Sequence, residues 1–332
     1  MPVPRRCARR PARGFGLVEL MVGLALGLIV VVLVSSVFLG THQATRTTDS
    51  LGRAQETVRT AFEVMARELR EAGGNPCDSN VPVANVLNSA QGTAAWSVDW
   101  EQPFQGFDDN QVFAGAAFGT GVGQRVIGTD AVMAKYIADL DGLTVVAHDN
   151  AAARFTVNNT PPRVRAGGLL MVCTYGQGAV FSASAVGAGS IDHVASGATD
   201  GNCSTGLGVP TLCVGSGSSY VFGPGAKIGQ VISTGWYIGN NGRPETGGRS
   251  LFRVARDGPE EIAEGISDMQ LEYVVPGAAA YASAGAITDW AGVAGLRVTL
   301  TLRGAQAGVA TNTSGRLERP TTFTLYLRNR QP

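Results

Sequence analysis

The sequence predicts an α+β protein in which one long N-terminal α-helix packs on an antiparallel β-sheet domain with long loops. Residues 15–75 contain no proline, and within them a continuous apolar run gives way to a helical apolar period. After residue 76 the apolar residues recur instead at every second position, the period of a strand. With 332 residues, 44% hydrophobic and 16% charged, the chain is large enough to build a substantial core.

The first half of the predicted helix is apolar enough to cross a membrane. Residues 20–39, LMVGLALGLIVVVLVSSVFL, carry no charge and span about 30 Å as a helix, the thickness of a bilayer's hydrocarbon core. Five arginines precede this run, so the positive-inside rule keeps the N-terminus in the cytoplasm and the carboxyl-terminal bulk outside the inner membrane. A cleaved signal peptide and a plain anchor are alternatives, but neither explains Glu19, a carboxylate at the edge of the apolar run.

The second half of the helix is predicted to be amphipathic. Apolar residues at three- and four-residue steps form one stripe: Leu51, Ala54, Val58, Ala61, Phe62, Met65, Leu69 and Ala72. The other face carries charges of both signs and is predicted to be solvated: Arg53, Glu56, Arg59, Glu63, Arg67, Glu68, Arg70 and Glu71. Gly73 and Gly74, followed by Asn75 and Pro76, predict the end of the helix.

Alternating segments predict half-buried antiparallel strands in the rest of the chain. The clearest lie at 269–275, 296–303 and 322–328, and further candidates lie at 130–138, 143–148, 169–174, 178–186 and 230–238. Stretches rich in glycine, alanine and serine, at 186–202 and 276–292, predict long surface loops.

The start of the helix carries a specific motif. Residues 13–19, RGFGLVE, resemble a type IV prepilin cleavage motif: a glycine, a phenylalanine or methionine, three mostly apolar residues and a glutamate. The resemblance implies that a prepilin peptidase cuts after Gly14 and that Phe15 becomes an N-methylated N-terminus. It also implies that Glu19 neutralises the amine of Phe15 on a neighbouring subunit and so directs filament assembly.

This resemblance divides the chain into four parts. They are a cleaved leader (1–14), a transmembrane and filament-core helix (15–40), the amphipathic half of the helix (41–73), and a β-rich periplasmic or extracellular domain (74–332). Two details of the apolar helix remain open. Ser36 stands where many major pilins have a proline, and the GxxxG pair Gly23 and Gly27 either allows close helix contact or is ordinary membrane-helix glycine.

Four further segments resemble the PilW-type minor pilins of type IV pili: LREAG at 69–73, TGWYI at 234–238 leading to SLFR at 250–253, EGISDMQLEY at 264–273, and TLYLRNR at 324–330. The resemblance implies a minor pilin that takes part in pilus assembly and initiation and enters the filament in or near its tip. Its implied partners are other minor pilins, the major pilin, the prepilin peptidase, the inner-membrane assembly platform and a tip adhesin. The implied location is the inner membrane, in a single pass, and then the pilus at the cell surface.

Two alternative functions stay open at this point. One is a minor pseudopilin of a type II secretion system. The other is a pilus-borne adhesion or binding module, in which the loops of 77–128 or 186–225 bind a surface, DNA or calcium.

The sequence offers no catalytic or cofactor-binding motif. It has no GxSxG, no phosphate loop and no HExxH, and the nearness of Ser190, Asp192 and His193 along the chain is no sign of a triad, which is assembled in space. A structural protein with no enzymatic activity, cofactor or metal is therefore expected.

Two binding functions are disfavoured as well. Asp139, Asp141 and Asp149 flank a predicted turn and could bind Ca²⁺, but their spacing is not that of an EF-hand, and a solvated turn is the favoured interpretation. Removing the leader leaves 21 Lys+Arg against 26 Asp+Glu, a balance unsuited to the phosphate neutralisation that nucleic-acid binding requires.

The cysteines predict disulfides. Cys7 lies in the leader, and four cysteines remain in the exported part: Cys77, Cys173, Cys203 and Cys213. Three pairings are possible. The local pair Cys203–Cys213 is favoured, which leaves Cys77–Cys173 to tie the helix end to the sheet. Zinc is the rival, but the chain has no CxxC pair and no nearby histidine ligands.

Overall fold

A computed structural model describes residues 16–77, 81–91, 95–159, 163–307 and 316–330 of the chain. It confirms the predicted α+β class: one long helix is followed by a large domain of mostly antiparallel strands. The elements are α1 (Leu17–Arg70), β1 (Val83–Asn85), β2 (Phe104–Phe107), β3 (Ala131–Asp149), β4 (Arg154–Val157), β5 (Leu169–Cys173), β6 (Gly178–Ser182), β7 (Ala185–Gly187), β8 (Ser190–Asp192), β9 (Lys227–Asn240), β10 (Arg249–Ala255), β11 (Gly258–Glu264), β12 (Ile266–Val274), β13 (Gly295–Ala307) and β14 (Arg316–Tyr326).

The chain forms two compact units that divide within α1. The first is Met1–Arg53 and the second is Ala54–Pro332. In the first unit, the stretch Leu17–His42 is a 26-residue helical segment that is apolar enough to cross a membrane, with none of its window buried by the protein. The second unit holds the rest of α1 and all the strands.

The second half of α1 packs on a three-stranded sheet in the order β12–β13–β14. Its apolar stripe is buried as predicted: Val58, Ala61, Phe62, Met65, Leu69 and Ala72 join one core cluster with the inward residues of that sheet. The ring of Phe62 stacks on Phe323 of β14, with the two centroids 4.1 Å apart. The side chains of Leu51 and Ala54, which were predicted to continue the stripe, lie outside the described ones.

The helix ends where the glycine pair predicts. Gly73 has φ +75°, a left-handed conformation that favours glycine, and its amide donates to the carbonyl of Lys135 at 2.8 Å. A Cβ at Gly74 would lie 2.4 Å from Nδ2 of Asn329, which itself donates to the carbonyl of Glu71 at 3.2 Å. The C-terminal segment therefore caps the helix, and Gly74 leaves room for it.

The remaining strands form an eleven-stranded sheet in the order β1–β6–β5–β9–β3–β4–β8–β7, with β2 paired to β3 and a β10–β11 hairpin paired to β9. All its pairings are antiparallel except β1 with β6, which is parallel. The prediction of an antiparallel sheet is thus confirmed for all but this pair. Strand β1 lies in 77–128, where no strand was predicted.

One strand was predicted as two. The sequence breaks its alternation between 138 and 143, but β3 runs through that break as a single strand of 19 residues. Asp141 and Gly142 take positive φ values of 56° and 73°, and the register against β9 shifts between Asp139 and Thr144. The break is a bulge, and it lets one strand pair with β9 along its first half and with β4 along its second.

The predicted loops contain short elements. The stretch 186–202 holds the β7–β8 hairpin, and 276–292 holds two 3₁₀ turns, Ala284–Ala286 and Trp290–Gly292. The ring of Trp290 packs edge-on against Tyr273 of β12, with centroids 4.9 Å apart, so this loop closes one end of the helix–sheet core.

Candidate functional site

The N-terminal turn of α1 holds the carboxylate singled out by the sequence. Glu19 lies in the first turn, and its Oε2 accepts a hydrogen bond from the backbone amide of Gly16 at 3.1 Å. A carboxylate at this position satisfies an amide that has no helical partner and also favours the positive end of the helix dipole. Gly14 and Phe15, the predicted processing residues, lie outside the described residues.

The apolar surface that follows Glu19 is exposed along its whole length. The large apolar side chains from Leu17 to Leu39 each expose more than half of their surface. Such a surface is typical of a helix that contacts lipid or other helices. Gly23 and Gly27 open this surface further, since a Cβ at either would meet nothing within 4 Å. Ser36 is compatible with such surroundings because its hydroxyl donates to the carbonyl of Leu33 at 2.8 Å.

Residues 9–35 match the family described as "Prokaryotic N-terminal methylation motif". This segment carries a type IV pilin-like prepilin motif. Proteins with the motif are structural, and it indicates a pilin-like or pseudopilin role and a membrane anchor near the N-terminus. No curated protein and no solved structure gives a significant match to the chain.

Beyond the prepilin motif, α1 also contacts the β domain through a charged residue that was predicted to be solvated. Glu68 forms an ion pair with Arg253 of β10 at 2.8 Å and accepts a hydrogen bond from Nε1 of Trp236 on β9 at 3.1 Å. The side chains of Glu68 and Arg253 are only 13% and 24% exposed. The solvated assignment of Glu68 was wrong because its partners come from strands some 170 residues later in the chain.

Four cysteines of the second unit form two disulfides. Cys77, just after the helix end, bonds Cys173 at the end of β5, and Cys203 bonds Cys213 across a short loop. The same short loop is held by Gln177, whose Nε2 donates to the carbonyl of Leu207 at 2.6 Å. The first disulfide thus connects the helix end to the eleven-stranded sheet, and the second closes a loop within the connection between β8 and β9.

Two histidines far apart in sequence meet inside the β domain. Nε2 of His148 on β3 and Nε2 of His193, which follows β8, lie 3.0 Å apart. They are packed among the rings of Phe155, Phe181 and Phe222. Burial lowers the pKa of His193 to about 3, with a further lowering from His148, and burial also lowers the pKa of His148.

The hydrogen bonds fix the tautomers of this pair. Nδ1 of His148 accepts from the amide of Phe222 at 3.1 Å, so the proton of neutral His148 sits on Nε2 and points at His193. Nε2 of His193 is then the acceptor, and its proton sits on Nδ1. That buried nitrogen has no partner of hydrogen-bond geometry in the described part of the chain.

Other ionisable groups are buried without a catalytic arrangement. Lys135 of β3 is fully buried, and Nζ donates to the carbonyl of Gln102 at 2.5 Å. Burial lowers the pKa of Lys135 to about 8, against an opposing effect of Asp99. Arg125 is also fully buried, and its guanidinium donates to backbone carbonyls, among them those of Gln111 and Thr129.

The residues considered for catalysis do not converge in the structure. Both carboxylate oxygens of Asp192 accept hydrogen bonds from Arg154, at 2.6 and 2.8 Å, and His193 faces His148. Neither contact is that of a triad with Ser190.

The residues considered for calcium are also separate. Asp139 accepts from the amide of Gly142 at 3.1 Å, whereas Asp149 accepts from Ala152 at 3.0 Å in a different turn. Among the described residues, no group of three or more His, Cys, Asp or Glu side chains could hold a metal ion.

Proposed function

We propose that this protein is a minor pilin of the PilW type, which takes part in the assembly and initiation of a type IV pilus and enters the filament in or near its tip. One combination carries the proposal: the methylation motif at 9–35 continues into a fully exposed apolar helix, and Glu19 stands in the first turn of that helix. A cleaved signal peptide needs neither the glutamate nor the long helix beyond it.

The mechanism follows from the charge and apolarity of this segment. After insertion into the inner membrane, a prepilin peptidase removes residues 1–14 and leaves the amine of Phe15. The apolar surface of Leu17–His42 then moves from lipid into contact with the helices of neighbouring subunits. A lone carboxylate is unfavourable in either environment, so Glu19 pairs with the amine of Phe15 on a neighbour, and this pairing sets the position of each incoming subunit.

The four PilW-like segments lie together in the fold, which supports the narrower assignment. Trp236 and Arg253 belong to the second segment and are direct cross-strand partners on β9 and β10. Both contact Glu68, which adjoins the first segment at 69–73. The third segment forms β12 and the fourth ends β14, both in the sheet under the helix. The resemblance therefore falls on the part of the domain that holds the helix.

The proposal includes an arrangement in the cell. Residues 15–40 cross the inner membrane once, residues 41–73 continue as the amphipathic half of the helix, and 74–332 lie in the periplasm and later at the cell surface. The partners are the prepilin peptidase, the assembly platform, other minor pilins, the major pilin and a tip adhesin. Because the sequence has no nucleotide-binding motif, the motor for assembly is a separate protein.

The test is incorporation into filaments. The full-length chain, tagged at its C-terminus, is expressed in a bacterium that makes type IV pili, and pili are sheared and probed. We expect the wild type and Glu63→Ala in the pilus fraction and Glu19→Ala at least tenfold depleted there, with equal amounts of all three in the membrane. Equal recovery of Glu19→Ala would contradict the proposal. If the wild type is recovered only with the pseudopilus of a type II secretion system, the protein is a minor pseudopilin of that system.

A further inference from the structure

The contacts of His148 and His193 leave the pair no place for an additional proton. A proton on Nδ1 of His148 would face the amide N–H of Phe222, which now donates to that nitrogen at 3.1 Å. A proton on Nε2 of His193 would face the N–H of His148 across 3.0 Å. The other two ring nitrogens already carry protons in the neutral tautomers. Protonation of either ring therefore breaks one of the two hydrogen bonds that hold the pair.

These two bonds join three separate parts of the domain. His148 belongs to β3, His193 follows β8, and Phe222 lies in the long connection before β9. Strand β4 lies between β3 and β8, and its Phe155 ring lies against both imidazoles, at centroid distances of 4.2 and 4.9 Å. The pair thus links the end of the β7–β8 hairpin and the connection around Phe222 to β3, in addition to the pairing of β8 with β4.

The surroundings do not compensate a positive charge on the pair. From β3 and β8 the nearby charges are Asp149 and Asp192, and Asp192 is already bound through both oxygens to Arg154 of β4. Strand β6 contributes only the ring of Phe181, and the loop contributes Phe222, backed by Tyr220 at a centroid distance of 4.8 Å. A charge on His193, which is fully buried, would be only weakly balanced.

We propose that His148 and His193 form an acid-sensitive latch, which holds residues 186–225 on the eleven-stranded sheet at neutral pH and releases them when either imidazole gains a proton. The release is local. The helix–sheet core around β12, β13 and β14 contains neither histidine and stays folded. This inference goes beyond the proposed function and does not depend on it, because the latch would operate in the same way in any exported protein.

The tautomers provide the first test. The full-length chain in detergent micelles, with ¹⁵N-labelled histidine, is followed by long-range ¹H–¹⁵N NMR from pH 7.5 to 4.5. We expect His148 protonated on Nε2 and His193 on Nδ1 at pH 7.5, with assignment by His148→Gln and His193→Gln. The opposite tautomers would overturn the latch. So would titration of either ring at about pH 6.5, the value of an unperturbed histidine, with the fold intact.

Hydrogen exchange provides the second test, on the same micelles at pH 7.5 and 5.0 with correction for the intrinsic exchange rate. We expect exchange within 186–225 to rise at least tenfold at pH 5.0 while β12 is unchanged, because histidines freed by local opening take up protons below about pH 6.5 and so favour the open form. In His193→Gln, an amide oxygen replaces the accepting nitrogen and does not titrate, so the rise should shrink severalfold. The control His42→Gln should behave as the wild type. Unchanged exchange in 186–225 of the wild type, or equal loss of protection in β12, would overturn the proposal.

Discussion

Glu68 of α1 and Arg253 of β10 lie 2.8 Å apart, at a distance of 185 residues in the sequence, and both are largely buried between the helix and the sheet. Trp236 donates to the same carboxylate from the neighbouring strand. Through this carboxylate the helix is joined to β9 and β10 of the eleven-stranded sheet, in addition to its apolar packing on the three-stranded one.

Replacing Glu68 by alanine should destabilise the β domain by about 1–3 kcal/mol, because Arg253 and the Trp236 indole lose a charged hydrogen-bond partner in a partly buried place. Glu63→Ala is the matched control on the same helix. Its ion pair with Arg59 is mostly exposed, at 63% and 78%, and should contribute less than about 0.5 kcal/mol. Urea denaturation of the full-length chain in micelles measures both, and equal effects would contradict the anchoring role of Glu68.

Lys135→Met should stabilise the protein at pH 7 by about 1–3 kcal/mol, because an apolar side chain replaces a buried ammonium. In the described part of the chain, no carboxylate lies within 4.0 Å of this ammonium. Lys227→Met, at the other lysine of the chain, is the control. Its Nζ donates to the carbonyl of Pro76 from an exposed position, so no gain is expected. Thermal or denaturant unfolding at pH 7 checks both variants.

The gain from Lys135→Met should also depend on pH. The folded pKa of Lys135, about 8, lies below the unfolded value of about 10.4, so the unfolded wild type binds more protons between these values. Wild-type stability from this group therefore rises as the pH rises from 8 to 10.4. The advantage of the methionine should be largest below pH 8 and should disappear near pH 10.4; a constant advantage would contradict a buried, titrating Lys135.

How far the sequence determines this fold can be seen at particular residues. Local patterns predict helix α1 and the strands β12, β13 and β14, because in each the period of apolar residues matches a buried face. The glycine at 73 likewise predicts the end of the helix. The burial of Glu68 cannot be predicted from a local pattern. Glu68 borders the apolar stripe, and its partners in the distant strands determine whether it is buried. The His148–His193 pair is also beyond local patterns, because the two residues approach only through the pairing of β3, β4 and β8.

Gly106→Ala should destabilise the domain by more than about 2 kcal/mol, because a Cβ at Gly106 would lie 1.7 Å from the hydroxyl oxygen of Tyr273. That hydroxyl is buried and has no hydrogen-bond partner among the described residues, so Tyr273→Phe alone should leave stability unchanged or slightly raised. The double variant should be less destabilised than Gly106→Ala. A double-mutant cycle by urea denaturation measures the coupling, and strict additivity would contradict the close approach of β2 and β12.

Removing the two disulfides one at a time should lower the free energy of unfolding by unequal amounts. In the chain-entropy account, the Cys77–Cys173 bond, with a sequence separation of 96, contributes about 4.7 kcal/mol, and the Cys203–Cys213 bond, with a separation of 10, about 2.7 kcal/mol. Paired serine replacements of each bond, compared by denaturant unfolding, test this order. A larger loss from Cys203–Cys213 would show that the short loop stabilises the domain through contacts such as that of Gln177 rather than through closure.

The mass of the mature N-terminus tests whether the N-terminal segment is a prepilin leader followed by a filament helix. The full-length chain is expressed with and without a prepilin peptidase, purified from the membrane and analysed by mass spectrometry. We expect the peptidase to produce a chain that begins with N-methylated Phe15, and Gly14→Asp to block this product. A chain that keeps residues 1–14 in the presence of an active peptidase, or one that is cut elsewhere, would contradict it.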